Sequence, residues 1–232
     1  MKINADFEQR VVIHSEEMPW LPSPMPGVER RPLDRIGEEV ARATSIVKYA
    51  PGSEFSPHVH TGGEEFIVLE GVFQDEHGDF PAGSYIRNPP QSRHKPGSAE
   101  GCIIFVKLWQ FDLADRHHVR QHTDLMVTIP HREVAGISVQ ELHQDSFETV
   151  TMQKWQPNAH YQNILPGGAE ILVLQGELTV QGDRLKKHSW MRLPVNAAFS
   201  GQAGPDGARI WLKEGHLTQV ERDIKNLQQY AL

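Results

Sequence analysis

Two histidines stand one residue apart in GSEFSPHVHTGGEEFIVLEG (52–71), a carboxylate follows four residues later, and a strand-forming apolar run ends at glycine. The spacing is G-x5-H-x-H-x3-E-x6-G, with His58, His60 and Glu64 as polar members, and His94 follows in NPPQSRH. Alternate residues of a strand share a face, so His58 and His60 converge, and a hairpin through Thr61, Gly62 and Gly63 can return Glu64 beside them. A further strand could bring in His94. Three imidazoles and one carboxylate form a borderline-soft N/O donor set for a divalent Fe, Mn, Ni, Co or Zn ion. The chain has 13 histidines, so the HxH pair alone also fits a solvated strand. The full constellation is harder to explain without a metal. Each buried imidazole deprived of its hydrogen bond would cost about 1–3 kcal/mol, and the carboxylate more.

The elements that must position these groups read as short strands. ATSIVKYA (43–50), EFIVLEGVF (65–73), GSYIR (83–87) and GCIIFVKLWQF (101–111) are rich in β-branched and aromatic residues and bounded by Gly or Pro. Pro81 and Gly83 have the spacing of a type I turn. At the C-terminus, Thr218 and Glu221 read as a capping box before a short helix with Val220, Ile224, Leu227 and Ala231 at helical spacing.

The pattern repeats. GGAEILVLQGEL (167–178) aligns with GGEEFIVLEGVF (62–73) at an offset of 105, with Gly63, Glu65, Val68, Leu69 and Gly71 identical over 63–71. WMRLP (190–194) falls on YIRNP (85–89), and after one inserted residue GARIWLK (207–213) falls on GCIIFVK (101–107). Duplication of one β-unit accounts for this. The polar stretch DLADRHHVRQHTD (112–124), without a strand pattern, is the expected boundary. In the second copy His58, His60, Glu64 and His94 become Asn163, Leu165, Ala169 and Phe199, whereas Glu65 persists as Glu170. One metal site is therefore expected, in the N-terminal half, with Glu64 rather than Glu65 as ligand.

Composition narrows the setting. The 232 residues carry a net charge of −7 and no basic block, so a phosphate backbone would be repelled and nucleic acid is not expected as a partner. No apolar run suits export or a bilayer. A single cysteine, Cys102, excludes an internal disulfide. These features lead us to expect a cytoplasmic protein with no membrane partner.

The Gly52–Gly71 motif, followed by FPAGSYIRNPPQSRH (80–94), resembles the two motifs of the cupin superfamily. HTGGEEFIVLEGVFQDEHGDFPAGSYIRNPPQSRHKPGS is most similar to the ChrR-type cupin domain of certain anti-sigma factors. The resemblance is close over residues 25–110 and, through the repeat, weaker over 130–215. It implies an all-β protein of two tandem jelly-roll barrels, a bicupin, with a short C-terminal helix and an ion held by His58, His60, Glu64 and His94. The expected domains are 1–115, which binds metal, and 125–232, a degenerate copy. Two packed copies could stand in for the dimer of single-domain cupins, and a further homodimer is left open. ChrR-type anti-sigma factors carry a separate zinc helical module with a CxxC pair. Nothing here matches it, so the expected partner is a small molecule and not a sigma factor.

Two functions compete at this stage. The ion, as Fe, Zn, Mn or Ni, serves either a dioxygenase acting on a small carbonyl or enol compound or a closed zinc sensor or staple. Arg87 could anchor an anion, but Arg192 matches it in the copy without ligands, which favours a structural role. Tyr85 reads as core. Phe66, Phe105 and Trp109 could line a pocket or simply fill the core. His118 and His122 could share a metal on a helix, although their polar setting favours a solvated connection. Cys102 reads as a small buried hydrophobe.

Overall fold

The computed structural model describes residues 1–230, so Ala231 lies outside the described residues. Almost all regular structure is antiparallel β, with one α-helix, Val220–Tyr230, among the described residues. The all-β architecture with a short C-terminal helix is as expected. The first half contains β1 (Val28–Gly37), β2 (Ala41–Tyr49), β3 (His58–Val59), β4 (Glu64–Asp75), β5 (Gly78–Pro81), β6 (Ser84–Asn88), β7 (Arg93–His94), β8 (Cys102–Leu108) and β9 (Val119–His122), of which β3 and β7 form a separate two-stranded sheet. The main order is β1-β2-β8-β4-β6-β9.

The twelve-residue β4 serves two pairings. Its first part lies between β6 and β8, and after Gly71 it turns back through β5. Gly71 has φ +70, and a Cβ there would stand 2.1 Å from the Gly101 carbonyl oxygen, so only glycine allows the approach. Phe66, Val68, Phe73, Ile86, Ile104 and Val106 form the core beneath this bend.

The second sheet repeats the arrangement with β10 (Ile137–Gln144), β11 (Thr149–Trp155), β12 (His160–Leu165), β13 (Ala169–Val180), β14 (Asp183–Leu185), β15 (Ser189–Leu193) and β16 (Ala197–Glu214). Its order β11-β16-β13-β15 mirrors β2-β8-β4-β6. Both β13 and β15 keep the 105-residue offset at each end.

The compact units are not the consecutive spans 1–115 and 125–232. One comprises Met1–Ala5, Pro19–Leu125 and the segment from Glu221; the other comprises Asp6–Met18 and Met126–Val220. Within the second unit, the strand Val11–His14 pairs with the edge of β15. Within the first, the helix is held by a buried Arg42–Asp223 ion pair at 3.4 Å and by Tyr230 against the Trp109 ring. Burial pushes the Asp223 carboxyl up, against the pull of Arg42 and Arg222.

Two local expectations are corrected, and a third stretch, β1, carried no expectation. The stretch 112–124 contains a strand, β9, that pairs along β6 from Ser84 to Arg87. A polar edge strand needs only backbone partners, so it carries no apolar signature. Thr218 lies in a 3-10 turn, His216–Gln219, and its hydroxyl donates to the Gly215 carbonyl instead of capping the helix. The charged strand β1, interrupted by Pro32, had no strand signal at all.

Candidate metal centre

The β3–β7 pair places His58 directly opposite His94. His60 follows β3, and the Thr61–Gly62–Gly63 turn then delivers Glu64 as the first residue of β4. The turn packs tightly: a Cβ on Gly62 would stand 2.0 Å from the Trp109 ring, and Gly63 has φ +80 against Phe111. The two glycines thereby set where His60 and Glu64 stand.

One ring nitrogen from each of His58, His60 and His94 lies within 4.8 Å of the others. The ring planes are inclined at 78°, 80° and 72°, so the three imidazoles approach from different directions. Glu64 Oε2 is 3.5 Å from His60 Nε2 and 3.7 Å from His94 Nε2. Ligands about 2.0–2.1 Å from one ion stand about 3–3.5 Å apart, so closing these gaps takes a few tenths of an ångström. The fit is supported independently by His60 Nε2, which is buried and has no hydrogen-bond partner among the described residues. An ion would satisfy it.

Three of these groups have further partners. His94 Nδ1 meets Asp75 Oδ2 at 3.2 Å, leaving Nε2 toward the cluster, and His58 Nδ1 faces the Ser56 carbonyl at 3.3 Å. Asn88 donates its amide to Glu64 Oε2 at 3.2 Å, from the position opposite Glu64 in the β4–β6 register. Burial alone would push the Glu64 carboxyl up, but His60, His94, His58 and Asn88 together hold it below the usual range. For His94, burial disfavours the cation, yet the Asp75 hydrogen bond and the nearby carboxylates hold it above the usual imidazole value. Burial dominates at His60 and pushes it down.

Asp75 and Asn88 were not singled out from the sequence. Asn88 stands within the second motif as YIRNP, so register was the available signal. Asp75 had none, because its approach to His94 depends on how the far end of β4 folds back. A carboxylate behind a ligating histidine fixes its tautomer and raises its basicity. Asp75→Asn is expected to weaken metal affinity about 10- to 100-fold, measured by competition with a chelator; unchanged affinity would remove Asp75 from this role.

The other candidates fall elsewhere. Arg87 is buried, 3.4 Å from Glu65, 3.5 Å from Asp115 and stacked over Phe111 at 4.2 Å. Tyr85 donates to Glu65. Phe66 and Phe105 are core, whereas Trp109 lines the cavity beside the histidines. His118 and His122 lie around a strand, so helical i, i+4 spacing does not apply, and His122 Nε2 faces the Ala82 carbonyl. Cys102 is buried, and burial pushes its thiol up to about 11.

In the second unit Asn163 opposes Phe199, repeating the His58–His94 register. Leu165, Ala169 and Phe199 belong there to the apolar core. A different cluster, His143, Asp145 and Glu148, has ligand-type atoms within 4.8 Å. Its carboxylates are already used: Asp145 accepts the backbone N–H groups of Phe147 and Glu148, and Glu148 holds Lys213 at 2.9 Å.

Beside the three-histidine cluster lies a cavity of about 430 Å³ lined by His58, His60 and Glu64 and by apolar residues including Val47, Ile104 and Val106. No described helix is long and apolar enough to cross a membrane.

Residues 8–112 match the family model described as the ChrR cupin-like domain. No curated protein matches the chain in sequence. Among solved structures, a provisionally assigned dioxygenase of Nostoc punctiforme aligns with TM-score 0.73 at 17% identity, over 88% of this chain and 82% of that one. The pirin YhhW of Escherichia coli, in complex with nickel(II), aligns with TM-score 0.62 at 15% identity, over 89% and 98%. An oxalate decarboxylase of Lactobacillus farciminis, in its formate complex, aligns with TM-score 0.60 at 10% identity, over 88% and 85%. At these identities the likeness is one of fold. Together with the motif over Gly52–Gly71, the family match makes residues 8–112 a ChrR-type cupin domain, and the chain as a whole has the cupin fold of these structures.

Proposed function

We propose that His58, His60, His94 and Glu64 hold one divalent metal ion, and that the chain uses it as a dioxygenase to oxidise a small carbonyl or enol compound with O2. The observation that carries this reading is the cavity. A ligand-sized space of about 430 Å³, largely apolar, opens onto three of the four ligand-type groups, as small-molecule sites usually do. An ion at the cluster would face that space.

When bound, the ion, with Fe(II) preferred among Fe, Zn, Mn and Ni, supplies Lewis acidity and a template for substrate and O2. The chain's own residues do the rest. Asp75 orients His94, Asn88 steadies Glu64, and Val47, Ile104 and Val106 keep water from the apolar wall. The nickel-bound E. coli pirin and the Nostoc protein share this fold, which supports a metal-dependent reading.

One observation favours a second reading, a zinc staple or sensor. Glu64 stands near enough to the imidazoles to complete a four-ligand shell. Anaerobic purification with elemental analysis, followed by oxygen-uptake assays with β-diketones and phenolic ketones, separates the two. Stoichiometric iron with substrate-dependent uptake is expected. Tightly held zinc with no uptake would favour the staple or sensor.

A further inference from the structure

The wall formed by β1 and β2 contributes charge to the cavity that the metal cluster does not use. Ala41, Ala43, Ser45, Val47 and Tyr49 of β2 all line the space, as alternate residues of one strand should. Arg30 of β1 pairs with Val47, and Arg35 with Ala43. Arginines five residues apart on a regular strand would face opposite ways. Here the register shifts between Pro32 and Asp34, so the bulge turns Arg35 to the face of Arg30. Both arginines line the cavity.

Among the described residues neither arginine makes an ion pair with a carboxylate. Arg35 donates to the backbone carbonyls of Glu38 and Glu39, and the Arg30 side chain makes no hydrogen bond or ion pair with any described residue. Burial and then the like charge of Arg30 push the Arg35 guanidinium down, only partly offset by Glu38. Exposed Glu39 also lines the space. Two cations on a largely apolar wall match a planar anion, for which guanidinium is the preferred donor.

We infer that Arg30 and Arg35 form a carboxylate-binding subsite, so that the ligand of this cavity is a small, otherwise apolar carboxylic acid. This rests on the proposed function only in taking the cavity as the substrate site. In that setting the carboxylate is held by β1, and the remainder of the molecule lies along Val47, Ile104 and Val106 toward the histidines.

The test uses the full chain stripped of metal, so it does not depend on the ion. Calorimetric titration at pH 8, above the ordinary imidazole range of about 6.5, compares phenylacetate with neutral phenylacetamide. Phenylacetate is expected to bind about 10- to 100-fold more tightly, as for loss of a charged hydrogen-bonding group. Arg30→Gln should erase the preference and Arg30→Lys restore part of it, with the thermal midpoint unchanged because the Arg30 side chain bonds to no described residue. Equal affinity for the two probes, no binding of phenylacetate, or a preference that survives in the Arg30→Gln, Arg35→Gln chain would overturn the subsite. Loss of metal or of oxygen uptake would instead count against the proposed function, leaving this binding result standing.

Discussion

His94→Ala is expected to abolish metal retention, with no ion carried through gel filtration by a chain that remains folded, whereas His122→Ala should keep its full complement. The reasoning starts from position. His94 sits opposite His58 and is oriented by Asp75, so removing its ring takes away one of the four proposed donors. The other imidazoles would then surround an incomplete site, and affinity that depends on several ligands at once collapses when one is lost. His122 already faces a backbone carbonyl and lies at the far end of β9. Full retention by His94→Ala would place the ion elsewhere.

The same geometry sets a pH dependence. Protons compete with the ion for the imidazoles. Burial works against the His94 cation, but Asp75 and Glu64 prevail and hold its value raised in the ion-free chain. Apparent metal affinity, measured by chelator competition across pH, should therefore begin to fall as the pH drops through the raised His94 value, with His94 taking up its proton before His60, whose value burial lowers.

Arg87→Ala is expected to destabilise the first unit by about 3–5 kcal/mol, the usual cost of breaking a buried ion pair from one side. Arg87 and Glu65 are both about 1% exposed, and Asp115 also reaches the guanidinium. Without Arg87, Tyr85 still donates to Glu65, but the carboxylate loses its guanidinium in a dry setting. Urea unfolding of the variant, with metal content measured alongside, checks this. A change within about 0.5 kcal/mol, the range for surface substitutions, would show that Arg87 is not structural and reopen its role as an anion anchor.

The arrangement around Glu65 also explains why the repeat was informative. Glu170, its counterpart, accepts from Trp190 Nε1 at 3.1 Å and contacts His216 Nε2 at 3.0 Å, so both copies keep this carboxylate for internal bonding. Glu64 faces the cluster, and its counterpart Ala169 is core. The distinction was legible because strand neighbours point to opposite faces and duplication supplies a control. The cluster itself was legible because ligand chemistry demands few residue types at short spacing.

Other features depended on distant pairing. β1 reads locally as a charged turn with a proline, VERRPLDRIG, and becomes a strand because β2 offers a complete ladder beside it. Its bulge, and hence the shared face of Arg30 and Arg35, has no mark in composition. Asp75 meets His94 only after β4 folds back through Gly71. Assignment of residues 6–18 to the second unit, and of the helix to the first, follows from an edge strand and one buried ion pair. No local pattern announces such partners.

X-ray absorption at the K edge of nickel, after loading the full chain with Ni(II) and removing excess, tests the metal centre most directly. One ion per chain is predicted, with a nitrogen and oxygen shell showing the scattering of three imidazoles, and no bound ion in the His58→Ala, His60→Ala, His94→Ala chain. A wild-type chain that retains no ion, or a bound ion whose spectrum lacks imidazole scattering, would contradict it.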